Sequence, residues 1–218
     1  MPMSPHQRRF GTAWRVAVVL AIVMAHPTVV PAQANDPEPL VARYRVTVVG
    51  LSANDSGAVR EQEWVFVRQP DRVAIDKGET EEVWRRQPNG AVSLQRVLHA
   101  QQRVIDYSAG ELVALGVEVD WSALERWSVA GDGIAAERDA TAQLPVRWAQ
   151  RIGPHAAARF ELIDWQRGTQ TNRSLSGERS AGYLHIDAAD FGDMPYDPAV
   201  RAAEAMDVRA GWRQVHRH

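Results

Sequence analysis

The sequence predicts an α+β chain, mainly antiparallel β, built as a strongly curved sheet whose concave face is covered by short helices. Three observations predict it. Short β-patterned runs separated by turn residues follow one another from residue 43 to 107. The period then becomes helical for two short segments after Ser108, and strand patterns return at residue 145. A sheet must bury its apolar face, and the amphipathic helices in mid-chain are the available cover.

Each element has its own signal. "RYRVTVVG" at 43–50 alternates, "EQEWVFVRQP" at 61–70 is apolar on both faces at its centre, "RVAID" at 72–76 is short, and "EEVWRR" at 81–86 alternates again. "QPNG" at 87–90 is a turn, and 91–99 with 103–107 form a further hairpin-like pair. Ser108 and Glu111 are spaced as a capping box, Leu112, Val113 and Leu115 supply an apolar side, and Gly116 stops the helix. Asp120 caps a second helix that places Trp121, Leu124 and Trp127 on one stripe. Residues 128–142 are small and polar, a loop or a weak strand. Residues 145–151, 158–168 and 182–190 read as strands.

The stretch "DFGDMPYDP" at 190–198 holds three acids and the first three letters of a kinase magnesium signature. No phosphate loop, strand lysine or catalytic-loop aspartate accompanies it in context. Its acids also lack the alternation and central glycine of an EF-hand loop. It therefore reads as structure: Asp190 and Gly192 end a strand, Pro195 keeps the turn extended, and Asp197 caps a helix with Pro198 at its first position. Val200, Ala203 and Met206 give that helix its buried side.

Ahead of the strands, residues 1–34 read as a cleavable signal peptide: Arg8, Arg9 and Arg15, the apolar run "VAVVLAIVMA", then "AQA". The run is too short to span a bilayer, and the ordinary unfolded-export route is favoured over the twin-arginine one. Residues 35–39 form a flexible leader. Removal of 1–34 takes away three of 25 basic side chains and no acid, leaving 22 against 27 and a formal charge of −5. Nucleic acid is thus an improbable partner. The chain has no cysteine, which excludes disulfides, thiolate metal sites and a lipid anchor on an N-terminal cysteine. These features predict a periplasmic location, with secretion to the medium as the alternative, and a protein that does not span the membrane once the signal is cleaved. Lys77, the only lysine, needs no functional reading.

The runs "EWVFVRQPDRVAI" at 63–75 and "EEVWRRQPNGAVSLQRVL" at 81–98, with the helices after 108, resemble periplasmic outer-membrane lipoprotein carriers of the LolA type over about residues 43–128. The resemblance implies one half-barrel domain over 40–218: an open, strongly curved sheet with short lid helices across its mouth. It also implies non-enzymatic sequestration of an apolar ligand, a lipid or a lipoprotein acyl chain, exchanged with a membrane-associated protein partner. Relatives in that superfamily sense envelope stress, so an envelope regulatory or partner-binding module stays open as the alternative. In the carriers an arginine directly before the proline reaches the lid and helps control opening. Gln69 occupies that position here, and Arg68, one residue earlier, is expected on the opposite face.

The candidate ligand-binding residues are Trp64, Phe66, Trp84, Tyr107, Leu112, Trp121, Leu124 and Trp127. Trp64 and Phe66 share one strand face, and the Trp121 stripe can face them across a cavity; the competing reading is plain core packing. An acyl chain of about 14 carbons offers roughly 11 kcal/mol at about 0.8 kcal/mol per methylene, before ordering costs. For a metal, His185 and Asp187 with His216 and His218 are the available donors, but the strand reads equally as a half-exposed face, and neither metal nor cofactor is assigned. A periplasmic hydrolase, the second alternative, has no "GxSxG" elbow; it would need a carboxyl such as Asp106, Asp164 or Asp187 raised by burial.

Overall fold

The computed structural model describes residues 38–50, 60–127, 137–153, 156–168 and 177–213. The expected signal at 1–34, part of the leader, and His216 and His218 lie outside the described residues.

Six strands come first: β1 (Leu40–Gly50), β2 (Arg60–Arg68), β3 (Arg72–Asp76), β4 (Thr80–Arg86), β5 (Val92–Leu98) and β6 (Arg103–Tyr107). Helices α1 (Ala109–Ala114) and α2 (Trp121–Glu125) follow, then β7 (Glu137–Arg138), β8 (Pro145–Gly153) and β9 (Ala156–Arg167). A short α3 (Gly177–Ser180), β10 (Leu184–Asp187), a 3-10 turn at Ala188–Asp193 and α4 (Pro198–Arg209) complete the order. All ten strands form one open, curled sheet in the order β10-β6-β5-β4-β3-β2-β1-β9-β8-β7. Among the described residues, every pairing is antiparallel except β10 on β6. Two meanders are thus joined through β1, which pairs with both β2 and β9.

Tight turns enforce the first meander. Between β4 and β5, Gly90 adopts φ +84, which a side chain would strain, and the Asn89 side chain accepts from the Ala91 N–H. Alternation then sorts the faces. Arg43 and Arg45 of β1 point outward, paired with Asp164 and Glu63 and with Glu61 and Glu161 respectively. These exposed pairs are weakened by water and salt, so they mark the wet face more than they hold the sheet. A small apolar patch on the same side groups Val41, Val67, Ala74 and Val83. Tyr44, Val46, Phe66, Ile75, Leu94, Ile105 and Phe160 point inward and build the main core with Leu112 of α1 and Val200 and Ala203 of α4.

The caps form as the sequence dictates. Ser108 and Glu111 make both arms of the capping box, and Gly116 follows α1 at φ +72. The Asp120 carboxylate accepts from the Ala123 N–H, and Asp197 accepts from the Ala199 and Val200 N–H groups with Pro198 in the first turn of α4. Three expectations are corrected. Val113 is 75% exposed, because a six-residue helix turns only Leu112 fully inward. Trp127 is not on the α2 stripe: the helix ends at Glu125, and Trp127 lies beyond it at φ +43. The strand expected over 182–190 stops at Asp187, whose carboxylate accepts from the Ala189 N–H and starts the 3-10 turn that buries Phe191. Among the described residues, no helix is long and apolar enough to cross a membrane.

Candidate functional site

The inner face of the sheet does not close completely on its helices. Between β2, β4, β8 and β9 on one side and the ends of α2 and α4 on the other lies an open hollow of about 660 Å³. Its apolar wall is made by Trp64, Trp84, Leu124, Trp127, Phe160 and Trp212. Trp127 stacks on Phe66 at 4.9 Å and meets Tyr44 and Trp148 edge-on at 4.5 and 5.2 Å, while Trp212 meets Trp84 edge-on at 6.1 Å.

Of the eight residues singled out in the sequence, Trp64, Trp84, Leu124 and Trp127 line this hollow. The other four are packed away from it. Phe66 is in the core beneath Trp127, and Leu112 docks α1. Tyr107 belongs to a buried ionic cluster. Trp121 packs under the Arg86 guanidinium, 5.0 Å from its ring, and donates its indole N–H to Glu125. Trp127 stacks on both Trp64 and Phe66, and Leu124 of α2 lines the same hollow beside Trp64.

Sequence reading missed the polar part of the wall. Lys77, given no role above, sits 5.2 Å over the Trp64 ring and 2.9 Å from the Glu82 carboxylate. Burial pushes the Glu82 carboxyl up, but Lys77 and Arg96 outweigh it and hold it below the usual carboxylate range. Arg96, 1% exposed, donates to Asp207, which is 0% exposed, at 2.7 Å, and to the Tyr107 hydroxyl at 3.1 Å. Burial lowers the Arg96 guanidinium, and Glu82 and Asp207 more than reverse this, so it is held above its ordinary value. Burial also raises the Tyr107 phenol. The signal was present: Arg96 alternates with Leu94 and Leu98 on the inward face, and Asp207 follows Val200 and Ala203 at helical spacing.

No family model and no curated protein matches this chain. Its function is therefore read from the hollow and its surroundings.

Arg68 corrects a further expectation. It shares the inward face with Trp64 and Phe66, because β2 ends at Arg68 and the parity that matters is counted within the strand, two residues from Phe66. Its guanidinium donates to the Glu125 carbonyl at the end of α2 and to the Ala142 carbonyl, both at 3.0 Å. Burial, with Arg167 nearby, lowers its pKa. A second, smaller hollow of about 430 Å³ lies at this end of the sheet, lined by Arg68, Glu125, Arg126 and Arg167 among others.

The carboxyls considered for acid catalysis behave otherwise. Asp164 is held below its usual range by Arg43, and Asp187 by the Ala189 N–H and Glu111, the reverse of a burial-raised acid. Asp106 accepts from Gln95 and faces His185 Nδ1 at 2.6 Å on the outer side of the sheet. No group of three or more metal-ligating side chains placed to hold an ion occurs among the described residues.

Proposed function

We propose that the protein is a non-enzymatic periplasmic binding protein that sequesters an apolar ligand, a lipid or a lipoprotein acyl chain, in a half-barrel of the LolA kind. The observation that carries the reading is the hollow of about 660 Å³ under the helices, walled by tryptophans. Its size falls within the roughly 300–1,000 Å³ of small-molecule sites, which are mostly apolar and hold few polar groups. Its placement between a curled sheet and short helices supports a sequestering role, and the aromatic walls supply adaptable apolar surface. In this reading α1 and α2 form the lid. Uptake requires α2 and Trp127 to swing away from β2, and release follows when a membrane-associated partner offers the ligand a better environment. The periplasmic address rests on the signal-like residues 1–34.

The test is mass spectrometry of protein released gently from the periplasm. Co-purified acyl species are expected with the wild type and are lost in Trp64→Glu, which puts a charge in the wall. Trp64→Leu, which keeps the wall apolar, should retain them. A folded wild-type protein that never carries an acyl species, even after incubation with lipid extract, refutes the proposal.

A further inference from the structure

The charges around the hollow do not cancel. Lys77 is matched by Glu82 at 2.9 Å, and Arg96 by Asp207 at 2.7 Å. Arg151 of β8 and Arg209 of α4 also line the hollow, and neither makes an ion pair or hydrogen bond among the described residues. Both are exposed, so they stand at its rim from opposite sides, one on the sheet and one on the helix. Among the described residues, Glu82 is the only acid in the lining. Two uncompensated cations therefore flank an aromatic hollow in a chain whose formal charge is −2 overall.

We infer that the hollow takes an amphiphile with an anionic head group, its single chain against the tryptophans and its head held by Arg151 and Arg209. This rests on the apolar-ligand reading above and specifies its ligand class. A bare acyl chain would leave the rim charge unanswered, whereas a carboxylate or phosphate supplies the acceptors that two guanidinium groups need. Guanidinium groups suit either, since their paired N–H groups match both oxyanions. The head chemistry has two sources, the carboxylate of a free fatty acid and the phosphate of a lipid.

Calorimetric titration of the purified protein separates these ideas, using dodecanoate, dodecyl phosphate, dodecanol and dodecyltrimethylammonium below their micelle concentrations, and inorganic phosphate. Both anionic amphiphiles should bind about tenfold more tightly than dodecanol, as expected when two rim charges each contribute a modest ion pair, and the ammonium more weakly still. In the double variant R151Q/R209Q the gap between anions and dodecanol should close to about twofold. Either order of dodecanoate and dodecyl phosphate supports the inference and names the source. Dodecanol binding as tightly as the anions, or an anion preference that survives in R151Q/R209Q, overturns the head-group assignment while the apolar-ligand reading stands. Inorganic phosphate binding as tightly as dodecyl phosphate overturns it too, because the chain would then contribute nothing. If no amphiphile of either charge binds, the inference and the reading beneath it fall together.

Discussion

Asp207→Ala tests the buried joint between α4 and the sheet. Asp207 is 0% exposed and accepts from Arg96 Nη1 at 2.7 Å, the Tyr107 hydroxyl at 3.1 Å and Arg213 Nε at 3.1 Å. Hydrogen bonds to a charged group contribute about 1.5–3 kcal/mol each. Simple addition overshoots, because Arg213 is partly exposed and regains water when its partner is lost. Arg96 cannot, being 1% exposed, and its next carboxylate, Glu82, stands at 3.9 Å and already serves Lys77. The cost is therefore that of an uncompensated buried cation, about 3–5 kcal/mol. For a domain of this size that corresponds to a fall in melting temperature of roughly 6–20 °C. The assay is urea denaturation followed by circular dichroism, read as a lower midpoint at unchanged slope. The companion variant R96M/D207L removes both charges and should recover most of the loss, since apolar replacement of a buried pair is often neutral or better. A loss below about 1 kcal/mol in Asp207→Ala, or a double variant as unstable as the single one, would refute the account of α4 as ionically pinned.

Three further outcomes follow from the same geometry. Arg68→Ala should cost about 1–3 kcal/mol and speed amide exchange in residues 121–127 by native-state hydrogen exchange, because the Glu125 and Ala142 carbonyls lose a buried donor; unchanged exchange there would mean Arg68 does not tether α2. The His99 pKa is lowered from 6.5 by burial and by Arg179, so below that value the unfolded chain binds more protons and stability falls as the pH drops. Thermal melts from pH 8 to 5.5 should show this decline, and His99→Gln should flatten it; an equal slope in the variant excludes His99 as the source. Trp127→Ala should cost about 3–5 kcal/mol of stability and yet tighten binding of a long-chain ligand, since it enlarges the hollow; weaker binding by the folded variant would show that Trp127 is needed as wall and is not an occupant.

What could be read ahead of the structure was whatever local chemistry decides. The strands from β2 to β6 and the caps at Ser108, Asp120 and Asp197 follow from alternation and from side-chain oxygens placed to accept from the first turn. Helix length was not readable: α2 stops at Glu125 because Trp127 is drawn down into the Tyr44, Phe66 and Trp148 rings, a choice made by residues far away in sequence. The parallel pairing of β10 on β6 is equally non-local. Within the site, the aromatic half was visible as a list and the cationic half was not, because an arginine on a strand looks solvated until its partner is known. Arg96 and Asp207 each sit on an apolar face, and only both observations together reveal a buried pair.

In the proposed binding role, the way the helices are held decides which of them can serve as a lid. α4 carries Val200 and Ala203 in the core and Asp207 in the ionic cluster, so lifting it would strand a buried cation as well as expose apolar surface. α2 is five residues long and is held by the Arg68 bonds and by the side chains of Trp121 and Trp127. Burial of one tryptophan side chain removes about 150–250 Å² from water, or roughly 4–6 kcal/mol, and two of them roughly 8–12 kcal/mol. An acyl chain of about 14 carbons offers roughly 11 kcal/mol on the same scale. The two quantities are close. In the proposed sequestering role, an acyl chain that frees Trp127 from Phe66 of β2 as α2 lifts therefore exchanges apolar surface for apolar surface at little net cost, as loading and unloading would require; a lid held by α4 would lock the hollow in either state.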